Sequence, residues 1–151
     1  RQSGRMLARA RQIAEDDSIP VEERMIRVVM ALRLEETEGA GGKDMIEHLH
    51  RPQNALMHQK SKRIIMNQVP PILAIVLEDG IKQGLFDTPY PLECMEMVVA
   101  YLNTILDDGL VVLTEEERLM RIEAFIFHME RLLGTEKGHL DYIVKMFESG
   151  E

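Results

Sequence analysis

The chain has 151 residues, with 18 Lys plus Arg against 26 Asp plus Glu, one Cys, eleven Met and no Trp. A hydrophobic share of 45% with 29% charged residues is that of a folded globular protein, not a disordered tail, and the length suits a single domain spanning 1–151. The lone Cys94 excludes a disulfide scaffold or a Cys-rich zinc module. The longest apolar run, around Pro70 to Leu77, falls far short of the roughly 20 residues that cross a bilayer. No apolar segment follows the opening Arg-Gln-Ser-Gly-Arg, so a signal peptide is not expected and a reducing cytoplasm is.

Residues 1–14 hold Arg1, Arg5, Arg9 and Arg11 and no acid, which leaves 14 basic against 26 acidic residues in the body. A body that negative repels phosphate and is not expected to hold nucleic acid by itself. Arg1, Arg5 and Arg9 share one helical face, most simply a solvated basic stripe. The non-Met start is what a piece of a longer chain would show.

Helical periods run through the chain with no sustained alternation to compete. Residues 4–16 read as the tail of a helix (Met6, Leu7, Ala10, Ile13, Ala14). Pro20 with Glu22 and Glu23 opens the next, whose apolar face is Val21, Met25, Val28, Val29 and Leu32, with Ile26, Met30 and Leu34 beside it. Gly39, Gly41 and Gly42 end it, and a short helix over 43–50 stops before Pro52. From Pro52 to about Leu85 one long helix is predicted, bent at Pro70 and Pro71, whose missing N–H groups free the carbonyls of Met66 and Asn67. Further helices follow over 91–108 and 114–133, the second opened by a Thr114/Glu117 capping box and ended by Gly134. A last amphipathic helix carries Leu140, Ile143, Val144 and Phe147. The expected fold is all-α, a bundle of about six helices.

The two helices over 91–108 and 114–133 carry apolar seams at spacings of three and four: Leu92, Met95, Val99, Leu102 and Leu106 on one, Leu119, Ile122, Ile126, Met129 and Leu133 on the other. Second apolar lines run through Cys94, Val98, Tyr101 and Ile105, and through Phe125 and Leu132. Helices this apolar are expected to be buried on two sides. A second copy is the simplest partner, so a homodimer is expected through a four-helix bundle, with Val99, Leu102, Leu106, Leu119, Ile122, Phe125, Ile126, Met129 and Leu133 at the interface. The plainer alternative is that neighbouring helices of one protomer cover both sides.

The stretch Pro71-Ile-Leu-Ala-Ile-Val-Leu-Glu-Asp-Gly80-Ile-Lys-Gln-Gly84-Leu-Phe86, followed by Pro89-Tyr-Pro91-Leu-Glu93, resembles the ligand-binding domain of TetR-family transcriptional repressors. There a long helix ends in a Gly-x-x-x-Gly-x-Phe turn before two dimerisation helices. The ending Ala124-Phe-Ile-Phe-His-Met-Glu130-Arg-Leu-Leu-Gly134 is similar to the last of those helices. The family's N-terminal helix-turn-helix has no counterpart here, so the resemblance implies that residues 1–16 are the end of a helix connecting to a DNA-binding part outside this sequence. It further implies an effector in the helical core that shifts the connecting helix, no reaction, no cofactor, and DNA contact only through that other part.

A pocket between helices is mostly apolar with a few inward polar groups. Asn54, His58, Ser61, Ile65 and Gln68 fall on one face of the long helix. Met30, Leu34, Met45, Met57, Met97 and Tyr101 offer adaptable walls for a small, largely apolar ligand. The competing reading of these Met is ordinary core. A helical adaptor without a cavity is the alternative function. His48, His50 and His58 do not make a metal site: alternate helical residues diverge by about 200°, and Glu47 with His50 supplies a single Glu-x-x-His. Cys94, among apolar neighbours, reads as inert, and Gly39-Ala-Gly-Gly42 lacks the Lys-Ser/Thr that a phosphate loop needs.

Overall fold

A computed structural model describes the backbone over 2–40, 55–106 and 111–141, with side chains over 4–32, 62–106 and 111–141. Among the described residues all regular structure is helical: α1 (Gln2–Glu15), α2 (Val21–Ala40), α3 (Ala55–Lys82), α4 (Pro91–Tyr101, continuing as a π-helical turn over Leu102–Leu106) and α5 (Glu115–Leu132). The expected short helix over 43–50 and the residues Ile143, Val144 and Phe147 of the last one lie outside the described residues, while 135–141 are turns and open loop with Leu140 buried. Internal contacts divide the chain into two compact units, 1–79 and 80–151.

In the first unit α1 buries Ala10 and Ala14, one helical turn apart, and such small side chains let a neighbouring helix approach closely. The buried line of α2 is Val21, Arg24 and Val28, so a guanidinium takes a position that periodicity assigns to the core. Between them Asp16 accepts hydrogen bonds from the Ser18 amide and hydroxyl, an Asx-type turn.

Helix α3 continues through Pro70 and Pro71. In the turn before them the Asn67 side-chain amide donates to the Arg63 carbonyl at 2.7 Å. Val69, Ile72, Leu73, Val76 and Leu77 are buried. The 21-residue stretch Lys62–Lys82 is long and apolar enough by composition to cross a membrane, yet most of Val69 to Leu77 is buried, as in a core helix, while Ile64 is 46% exposed.

The second unit is framed by two helix ends of one kind. At Gly84 (φ +80°) the Leu85 amide donates to the Gly80 carbonyl at 2.8 Å and the Gly84 amide to the Ile81 carbonyl at 3.1 Å. At Gly134 (φ +65°) the Thr135 amide donates to the Glu130 carbonyl at 2.9 Å and the Gly134 amide to the Arg131 carbonyl at 3.3 Å. Both are Schellman endings, which need a residue at ease with positive φ. The Asp87 amide donates to the Leu133 carbonyl at 2.7 Å and joins the two turns. The capping box of α5 is complete: the Glu117 amide donates to Thr114 Oγ1, and the Thr114 amide to Glu117 Oε1, each at 3.1 Å.

The expected regular helix over 91–108 gives way at Leu102, whose amide is shared between the Val98 and Val99 carbonyls. This is where the ladder changes to π spacing. Arg118, at the start of α5, donates to the Leu106 carbonyl at 2.7 Å and satisfies one of the acceptors the π turn leaves open.

Candidate functional site

The surfaces of interest are those the sequence marks for a ligand and for a partner. Of the expected ligand residues, Leu34, Met45, Asn54, Met57, His58 and Ser61 lie outside the described side chains, as do His48 and His50. Met30 is 44% and Met97 59% exposed; Gln68 is exposed and Ile65 half-buried. Tyr101 is half-buried and stacked on Phe125, with ring centroids 5.5 Å apart and planes 7° from parallel.

The residues expected at a dimer seam are distributed differently. Val99, Leu106, Ile122, Ile126, Met129 and Leu133 are each no more than 6% exposed in one protomer. They have almost no surface left to give to a second copy. Leu102 and Phe125 are half-buried, and Leu119 is 46% exposed. The second line of α4 is also inside, since Cys94 and Val98 are buried with Met95. Packing within the protomer therefore takes up Cys94, Met95, Val98, Val99 and Leu106, while Leu92 stays 37% exposed and Tyr101, Leu102 and Ile105 half-buried. Burial pushes the Cys94 thiol up from its ordinary pKa, which keeps it protonated and unreactive.

Of the expected interface only Leu102, Leu119 and Phe125 stay wholly or partly uncovered, and other apolar residues join them. On α4, Met97 and Tyr101 are one turn apart; on α5, Phe125 and Leu132 are seven residues apart, so each pair shares a face. The Tyr101–Phe125 stack brings these faces together into one exposed to half-exposed apolar strip. On another side of α5, Met120 and Phe127 share a line. The Arg131 guanidinium sits 4.6 Å from the centre of the Phe127 ring, and the His128 ring lies nearly perpendicular to that ring with centroids 5.2 Å apart. That side borders an open groove of about 200 Å³ lined by Glu123, Ile126, Phe127, Glu130, Lys137, Gly138 and Asp141. None of the expected ligand residues lines it.

Three side chains that sequence reasoning passed over hold the helix junctions. Arg24 is 1% exposed and binds backbone at the end of α1 and in the following turn. Asp79 on α3 pairs with it. Glu130 is 5% exposed and accepts the Leu140 amide at 2.9 Å, which fixes the turns after α5. The one signal for Arg24 is its place between Val21 and Val28 on an apolar line; nothing in the pattern flags the other two. Among the described residues no three His, Cys, Asp or Glu side chains converge as metal ligands.

The family model described as "Tetracyclin repressor-like, C-terminal domain" matches residues 40–128. No curated protein matches the chain. The matched stretch spans the long helix, the Gly84 turn, α4 and most of α5, which is the order in which the fold presents them. On that match, over more than half its length, the chain belongs to the family of TetR-like C-terminal domains.

Proposed function

We propose that this chain is the effector-sensing and dimerisation half of a cytoplasmic TetR-like repressor. It binds a small, largely apolar molecule, performs no reaction, and reaches DNA only through a separate helix-turn-helix part. The observation that carries this reading is the family match across 40–128, since such domains typically bind effectors and dimerise. The effector acts only through its differential affinity for two arrangements of the dimer. The partner copy covers the strip of Met97, Tyr101, Phe125 and Leu132, because the seam residues beside it are already enclosed in the protomer. An aromatic pair at the centre of an exposed apolar strip is the usual anchor of an interface.

Equilibrium sedimentation tests the dimer. The parent chain is expected to be dimeric at micromolar concentration, Leu132→Glu and Met97→Glu to shift it to monomer, and Met120→Glu to leave it unchanged. A monomeric parent overturns the dimer reading. Thermal denaturation against a panel of apolar compounds tests the sensor: stabilisation that grows with ligand concentration is expected, amounting to about 2.7 kcal/mol at a hundredfold excess over Kd. No response across the panel favours an adaptor that docks another protein.

A further inference from the structure

The guanidinium of Arg24 is spent on three separate pieces of chain. Nε and Nη2 donate to the Ile19 carbonyl at 3.2 and 2.9 Å, and Nη1 donates to the Ala14 carbonyl at 3.2 Å and to Asp79 Oδ2. Ala14 lies in the last turn of α1, where carbonyls have no donor within their own helix. Ile19 belongs to the corner between α1 and α2, and Asp79 to the C-terminal end of α3. Only a planar fork with five N–H groups spans such a set; an ammonium is a point donor. The pair is asymmetric, Arg24 being 1% and Asp79 29% exposed at the side chain, so Asp79 reaches in from the edge to a cation that is out of water. A buried cation deprived of its carboxylate must be resolvated, and the local backbone has to open to allow it.

Upstream in the same helix, Pro70 and Pro71 remove two main-chain donors, leaving the carbonyls of Met66 and Asn67 without their ladder partners. Helix α3 thus lacks two ladder bonds two to three turns before Asp79, while its side chains from Val69 to Leu77 are mostly enclosed. We propose that Arg24 is a positioning residue, a latch that couples the C-terminal end of α3 to the last turn of α1 through the Asp79 carboxylate, so that displacement of one is delivered to the other. The proposal stands on contacts within residues 1–79 and is independent of the effector and dimer readings.

Spin labels on the exposed positions Arg9→Cys and Arg63→Cys, in a Cys94→Ala background, read the α1-to-α3 distance by pulsed electron resonance. Diluted with unlabelled protein so that only distances within one protomer contribute, the parent is expected to give one narrow distribution. Asp79→Asn and Arg24→Lys are expected to widen it about twofold with helix content retained, and to speed amide exchange over 11–19 about tenfold while α5 is unchanged. Val28→Ala, a core truncation at a fully buried site, is expected to lower the melting temperature without widening the distribution. An unchanged width in Asp79→Asn, or equal widening in Val28→Ala, overturns the latch. Should Asp79→Asn fail to fold, Asp79→Glu moves the carboxylate by one methylene; a shifted mean distance supports the latch and an unshifted one overturns it.

Discussion

Alanine at Gly134 meets two costs, while alanine at Gly84 meets one. Both glycines sit at left-handed φ, +65° and +80°, where an L side chain costs about 1–2 kcal/mol. At Gly84 a new Cβ finds nothing within 4 Å; at Gly134 it lands 3.1 Å from the Asp87 Cβ and 3.4 Å from the Asp87 carbonyl oxygen. Asp87 is held there by its amide, which donates to the Leu133 carbonyl at 2.7 Å, so the crowding has no cheap exit and adds about 1 kcal/mol. Gly84→Ala is therefore expected to cost about 1–2 kcal/mol and Gly134→Ala about 2–3 kcal/mol. At about 2–4 °C per kcal/mol for a chain of this size, the melting temperature falls by about 2–8 °C and about 4–12 °C respectively. Because these ranges overlap, the deciding experiment is a double-mutant cycle followed by urea titration and circular dichroism. An Asp87→Gly background removes the Cβ that the added methyl group would strike, and there the cost of Gly134→Ala should drop to that of Gly84→Ala. An equal cost of Gly134→Ala with and without the Asp87 side chain would refute the packing argument.

Thr114→Ala is expected to destabilise α5 by about 1 kcal/mol through loss of the cap, as read by urea titration. It should also reduce the acid limb of stability by the hydroxyl's share alone, since alanine keeps the amide that lowers Glu117 most. The Thr114 amide and hydroxyl hold the Glu117 carboxyl below its ordinary value of 4.5, so its contribution is complete above that pH and is lost as pH falls through the lowered value. Asp16 behaves alike, lowered first by the Ser18 hydroxyl and then by its amide, and Ser18→Ala should remove that part of the same limb. Cys94 should resist thiol reagents in the native state and react on denaturation, because it is buried with a raised pKa. Glu130→Ala leaves the Leu140 amide without its acceptor and is expected to cost about 1–3 kcal/mol, whereas Glu130→Gln keeps a carbonyl oxygen there and should cost less, both by urea titration.

The helices and their order are legible in the sequence because their ends are punctuated by local chemistry. Thr114 with Glu117, Gly84, Gly134 and Pro91 each act over one turn, and each sits in the structure where its neighbours predict. What periodicity cannot convey is which neighbour covers an apolar line. Both lines of α4 demand burial, and the structure encloses only part of each, burying Cys94, Met95, Val98, Val99 and Leu106 and leaving Leu92 exposed and Tyr101 half-exposed. Arg24 is illegible for the opposite reason: a charge on an apolar face looks like an interruption until Ala14, Ile19 and Asp79, distant in sequence, are seen to surround it. The π turn after Tyr101 has no residue signature at all, since Leu-Asn-Thr-Ile-Leu is ordinary helical sequence and the change lies in which carbonyls the Leu102 amide meets.

The bond from the Asp87 amide to the Leu133 carbonyl closes the base of the hairpin formed by α4 and α5. Its entrance and exit stand within a single hydrogen bond of each other, so the chain enters and leaves the hairpin at one point.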